Sequence, residues 1–254
     1  MFDYMESIRT FPGRVGFYLH WPDTGETQEF QADLPMEAAS VIKIPIMVTA
    51  FRDILDGALD PAEELEILPE MKKPSCGALT YLHDGVEVTV RDLAVLMIIL
   101  SDNTATNLLI DRLGTENINR AMADLGLSEK TKCRRKLFEP ELSARGIQNH
   151  VTAADIGLLL KRMLRGEAVS PEASAEMLGI LRDQRLNGKM PFHLKPRGIA
   201  CAHKTGEDYD DGITHDVGII YAEHPILFCF LAEGADVPEA ERALQDLALM
   251  AAGI

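Results

Sequence analysis

Apolar residues recur along this chain with two different periods. Near the start, RVGFYLHW (14–21) and TQEFQA (27–32) have strand length and strand composition, and PDTGE between them supplies the Asp-x-Gly chemistry of a turn. The chain is expected to open with a short helix followed by this hairpin. From Ser40 the period lengthens: IKIPIMVTAFRDILDGALD, VRDLAVLMIIL, NTATNLLIDRLG, ENINRAMADLG, AADIGLLLKRMLRG and SAEMLGILRDQ place apolar residues at helical spacing, several of them closing on glycine as helix C-termini do. This predicts a long, all-helical block. After about residue 197 the short period returns in GIACAHKTG, THDVGIIYA and PILFCFLAEG, and PEAERALQDLALMAA closes the chain as a helix.

That order implies α+β architecture: one antiparallel sheet of about five strands from both chain ends, flanked by helices, with an all-helical domain inserted. On this reading residues 1–254 form a single domain, in which 1–39 and 197–254 make the sheet subdomain and 40–196 the helical one. The polar, glycine-bounded GEDYDDG (206–212) reads as a loop between two strands.

Composition narrows the class. With 46% apolar residues in 254, the chain can bury a large core. A net charge of −15 argues against a nucleic acid or an anionic membrane surface as partner, because either calls for a basic face. The apolar runs LAVLMIIL (93–100) and ILFCFLA (226–232) are too short to span a bilayer, and MFDYMESIRTF lacks the basic and apolar regions of a signal peptide. A cytoplasmic location is therefore expected. The four cysteines are scattered without a C-x-x-C pair and the seven histidines show no H-E-x-x-H spacing, so neither a metal nor another cofactor is expected.

Three short motifs carry candidate chemistry. In EAASVIKIPIM, Ser40 and Lys43 stand one helical turn apart, so Ser40 reads either as a helix cap beside a lysine that escapes to water or as a nucleophile whose proton a buried lysine can take. Ser101-Asp102-Asn103 falls between two helices, where such residues cap helix ends; alternatively Ser101 could pass a proton to a leaving group while Asn103 holds a substrate amide. Lys204-Thr205-Gly206 ends a strand, either as a solvated edge or as a clamp for a carboxylate beside a glycine that admits substrate to the backbone.

Taken together and in this order, the motifs resemble the set found in class A β-lactamases and penicillin-binding proteins. TVRDLAVLMIILSDNTATNLLIDRLG (89–114), THDVGII (214–220) and GAL (77–79) are similar to further segments of that family. The resemblance implies a serine acyl-transfer site between a helical domain and an antiparallel sheet. Ser40 would be the nucleophile, Lys43 its proton acceptor and Ser101 the relay to the leaving nitrogen. Lys204 and Thr205 would hold a substrate carboxylate, Gly206 would let the substrate approach the backbone and Asn103 would hold its amide, while the backbone N–H groups of Ser40 and Glu207 would form the oxyanion hole. The implied substrate is a small molecule, a β-lactam or another acyl ester or amide bearing a carboxylate. The same machinery would suit an esterase, an amidase, a D-alanyl peptidase, or a sensor that is acylated without turnover.

LFEPELS (137–143) is similar to the family loop that reads roughly Arg-Trp-Glu-Pro-Glu-Leu-Asn, which makes Glu139 the expected base for hydrolysis of the ester. Leu137, Ser143 and Asn149 replace residues that shape this loop in the family, and Glu207 stands where a small residue is usual.

Overall fold

The computed structural model describes Ile8 and residues 11–254. The expected N-terminal helix falls outside the described residues. The strands are β1 (Arg14–His20), β2 (Thr27–Phe30), β3 (Met36–Glu37), β4 (Glu64–Ile67), β5 (Val86–Thr89), β6 (His150–Val151), β7 (Ala200–Asp208), β8 (Ile213–Tyr221) and β9 (Pro225–Glu233). Five of them form one antiparallel sheet in the order β2-β1-β9-β8-β7, with Phe17 opposite Phe230, Gly218 opposite Phe228 and Lys204 opposite Val217. Both chain ends contribute to this sheet, as the order of periods along the sequence predicts.

The helices are α1 (Lys43–Leu55), α2 (Val90–Ile99), α3 (Asn103–Leu113), α4 (Thr115–Asp124), α5 (Pro140–Ala144), α6 (Ala153–Leu164), α7 (Pro171–Arg182) and α8 (Val237–Ala251). Among the described residues no helix is long and apolar enough to cross a membrane. The sheet is covered on both faces, which explains why β9 is a continuous apolar run rather than an alternating one. Phe228 and Phe230 of β9 pack with Phe17, Leu244 and Leu247 under α8, whereas Leu227, Cys229 and Leu231 face the helical side. Central α1 buries residues all round, including Ile44, Ile46, Met47, Val48 and Phe51, as expected of a helix enclosed by other helices. Pro45 is tolerated there because it lies in the first turn, where its missing N–H has no intrahelical partner to lose.

Two expectations need correction. The block from Ser40 is not all helical: β4 pairs with β5 inside it, and β6 pairs with β3 just before it, as two short antiparallel ladders. These segments are two to four residues long, below the length at which a period of two stands out from its surroundings. The polar stretch after Lys204 is not all loop either. Gly206, Glu207 and Asp208 continue β7 against His215, Thr214 and Ile213, and the ladder overrides their low strand propensity. Of the two readings open for Ser40, the helix cap is excluded, because its side chain caps no helix. Ser40 sits in a 3-10 turn, Ala39–Ile42, that leads into α1.

Candidate active site

Ser40 lies where the sheet meets the helical layer. The turn that carries it is tied down by the Ala38 N–H, which donates to the Asn149 carbonyl at 2.8 Å. Ala39 beside it has φ +41°, a left-handed conformation that costs energy for a residue with a Cβ. Ser101 at φ +54° and Phe138 at φ +58° share this feature, so three of the segments that border the cleft each hold one strained residue.

One turn after Ser40, Lys43 is fully buried as the first residue of α1. Its Nζ is 3.0 Å from Ser40 Oγ, 2.9 Å from both Ser101 O and Ser101 Oγ, and 2.7 Å from Asn103 Oδ1. Burial, reinforced by the Lys204 ammonium, holds this amine well below the ordinary lysine range. A neutral amine has two hydrogens and one lone pair. The Ser101 carbonyl and the Asn103 amide oxygen can only accept, so they take the two hydrogens and leave the lone pair for a serine hydroxyl.

Ser101 forms the hub of the cluster. Its Oγ lies 2.9 Å from Ser40 Oγ and accepts from Lys204 Nζ at 3.0 Å. Lys204, also fully buried, donates to its neighbour's Thr205 carbonyl at 2.7 Å. Burial pushes its pKa down to about 7 against the opposing pull of Asp216 and Glu207. The middle residue of the second motif, Asp102, turns away from this chemistry. Its carboxylate caps α3 through the Ala105 N–H at 3.0 Å and accepts the Leu79 N–H at 2.9 Å, fastening the Gly77–Leu79 loop to the cleft. A Cβ on Gly77 would overlap that carboxylate, which accounts for the glycine. Asn103 Nδ2 donates to the Pro74 carbonyl at 2.8 Å, tying the same loop from its other side.

Thr205, Gly206 and Glu207 border the cleft from β7, the edge strand. Gly206 passes so close to the Ser40 turn that an added Cβ would crowd Val41, His215 and the Ala38 carbonyl at 3.1 to 3.4 Å. The open cleft has a volume of about 550 Å³ lined by Ser40, Asn103, Leu137, Phe138, Glu139 and Glu207, and continues into a smaller one of about 270 Å³ lined by Ser101 and Thr205.

The structure thus brings Ser40, Lys43, Ser101, Asn103 and Lys204 into one hydrogen-bonded group with Thr205, Gly206 and Glu207 along its edge. Glu139 stands apart. It lines the cleft, but its carboxylate accepts the Lys136 N–H at 2.9 Å, which is its one hydrogen bond among the described residues. The loop is pinned two residues earlier, where Asn107 Oδ1 accepts the Leu137 N–H at 2.8 Å and Asn107 Nδ2 donates to the Leu137 carbonyl at 2.9 Å. Ser143 Oγ accepts from Gln148 at 2.8 Å, and Asn149 brackets the backbone of Arg134 and Arg135. Sequence reasoning overlooked Asn107, although its spacing of four from Asn103 puts both amides on one face of α3. It also overlooked Lys189, which sits in coil between α7 and β7 and has no periodic signal.

Among the described residues no three His, Cys, Asp or Glu side chains gather to hold a metal ion. Comparison with known proteins places this geometry. The profile of the beta-lactamase enzyme family matches residues 3–253. A beta-lactamase of Amycolatopsis lactamdurans is 25% identical over 242 residues, covering 92% of this chain and 76% of that protein. The crystal structure of a beta-lactamase from Sphaerobacter thermophilus DSM 20745 superposes with a TM-score of 0.88 at 32% identity, over 98% of this chain and 96% of that one. The structure of PBP-A superposes with a TM-score of 0.87 at 27% identity, over 99% and 93%.

Proposed function

The chain belongs to the beta-lactamase enzyme family, and from that premise we propose that it is a serine hydrolase that opens β-lactam amides through an acyl-enzyme on Ser40. The observation that carries this reading is the placement of the fully buried Lys43 amine 3.0 Å from Ser40 Oγ. Ser40 Oγ attacks the lactam carbonyl as its proton passes to Lys43 Nζ. The oxyanion forms between the N–H groups of Ser40 and Glu207. Ser101, within hydrogen-bonding distance of Ser40, Lys43 and Lys204, passes its hydroxyl proton to the departing ring nitrogen as it takes from Lys43 Nζ the proton that came from Ser40, so that Lys43 returns to the neutral amine. Lys204 and Thr205 receive the substrate carboxylate, whose charge favours the protonated form of Lys204. Asn103 orients the acyl-side amide. Hydrolysis of a chromogenic cephalosporin tests the reading: turnover should fall to background in Ser40→Ala, and turnover that survives this substitution would sink it.

A second reading, in which the ester forms quickly and is released slowly, is favoured by Glu139. Its carboxylate is turned into its own loop, and Leu137 and Phe138 share the cleft wall beside it. If Glu139 drives water onto the ester, Glu139→Gln should slow turnover by about 100-fold or more, the scale of a lost general base. Turnover within about twofold of the unmodified protein would mean that Glu139 is not that base.

A further inference from the structure

Lys189 is a cation in an unusual place. It lies only 4% exposed in the coil before β7, and its Nζ donates to the Gly206 carbonyl at 3.1 Å. The same ammonium stands 3.2 Å from Glu207 Oε2 and 3.7 Å from Glu241 Oε1. Glu241 is itself held by the Thr214 hydroxyl, which donates to it at 3.2 Å, and the Tyr209 hydroxyl donates to Glu207 at 3.2 Å. A lysine this deeply buried is retained only where its charge is matched and its hydrogens are used.

What it holds is one peptide unit. The Gly206 carbonyl and the Glu207 N–H are the two ends of the same planar amide, and in a trans peptide they point in opposite directions. The β7–β8 pairing already orients this peptide, and a cation fixed on the carbonyl therefore reinforces the direction of the N–H on the far side and draws electron density away from it, which strengthens it as a donor. The pairing with Glu207 has a further effect, because an unrestrained carboxylate on the cleft edge would repel an anionic substrate.

We propose that Lys189 is a positioning residue for the oxyanion hole: by binding the Gly206 carbonyl it aims the Glu207 N–H at the reacting carbonyl, and by pairing with Glu207 it keeps that carboxylate off the substrate. The inference rests on the serine hydrolase reading. The test compares Lys189→Met and Lys189→Arg with the unmodified protein in two assays. One is the rate of Ser40 acylation over a range of benzylpenicillin concentrations, which separates half-saturation from the limiting rate. The other is affinity for phenylboronic acid, which forms a tetrahedral adduct on a nucleophilic serine and carries no carboxylate for Lys204 or Thr205.

Lys189→Met should lower the limiting rate at least about tenfold, part of the loss seen when an oxyanion donor is removed outright, and weaken phenylboronic acid binding by a comparable factor. Half-saturation should change by less than about threefold, and Lys189→Arg should recover most of both losses. If Lys189→Met does not fold, Lys189→Gln, which removes the charge and keeps a polar head, provides the same comparison. Acylation within about twofold of the unmodified protein would overturn the proposal. So would a loss confined to half-saturation with phenylboronic acid binding unchanged, since that is the signature of a carboxylate contact. Should the unmodified protein resist benzylpenicillin, the lactam reading falls, and phenylboronic acid binding still decides the role of Lys189.

Discussion

Lys43 and Lys204 are among the largest fully buried side chains of the protein, and both lose their proton more easily than a lysine in water. An unfolded lysine keeps its proton to about pH 10.4. Between the folded and unfolded values the unfolded chain binds more protons, so stability rises with pH, by up to about 1.4 kcal/mol per pH unit for each group. Lys43→Met removes one of these two contributions. The variant should therefore gain most over the unmodified protein at the low end of that window, with the gain shrinking towards pH 10, in urea titrations run at successive pH values. A pH-independent difference would mean that Lys43 is charged in the folded state. The cost of keeping this amine buried is what makes it a base next to Ser40.

At the scale of elements, the site depends on how helices begin. α3 starts at Asn103 because Asp102 caps it, and the same carboxylate fastens the loop that carries Leu79. Asp102→Ala removes a cap worth about 1 kcal/mol and strands the buried Leu79 N–H at about 1–3 kcal/mol. Denaturant unfolding should show a loss of about 2–4 kcal/mol on that basis, and a loss below 1 kcal/mol would mean that the loop finds another partner. The motif around Asp102 was legible in the sequence because it is local: three adjacent residues at a helix junction, with the serine and asparagine aimed one way and the aspartate the other. Ser40 and Lys43 were legible for the same reason, one helical turn apart. The Glu139 loop was not. Its shape is set by Asn107, Gln148 and Asn149, residues up to 42 positions apart whose amides bind backbone and side chains across the loop; the family resemblance pointed to Asn149, but nothing in LFEPELS itself announces Asn107 or Gln148. The five-stranded sheet showed in apolar runs of strand length, whereas β3 to β6 are too short to leave a periodic signature.

Across the whole molecule, the cleft exists because a helical layer docks on one face of the sheet. Gly157 of α6 meets the Tyr18 ring of β1 so closely that an added Cβ would lie 2.4 Å from Tyr18 Cδ1. Gly157→Ala should destabilise by about 1–3 kcal/mol through overpacking, despite the better helix propensity of alanine. Shortening the opposing ring in Gly157→Ala/Tyr18→Leu should restore part of that loss in thermal unfolding, and strict additivity of the two changes would place the strain elsewhere.

The central claim is that this architecture delivers a nucleophilic serine. Intact-protein mass spectrometry over time after mixing with benzylpenicillin, with peptide mapping of the adduct, tests it most directly. The account predicts a covalent penicilloyl adduct on the peptide that contains Ser40, absent in Ser40→Ala. An adduct that persists in Ser40→Ala, or an unmodified protein that shows no adduct at any time and leaves the benzylpenicillin unhydrolysed, would contradict it.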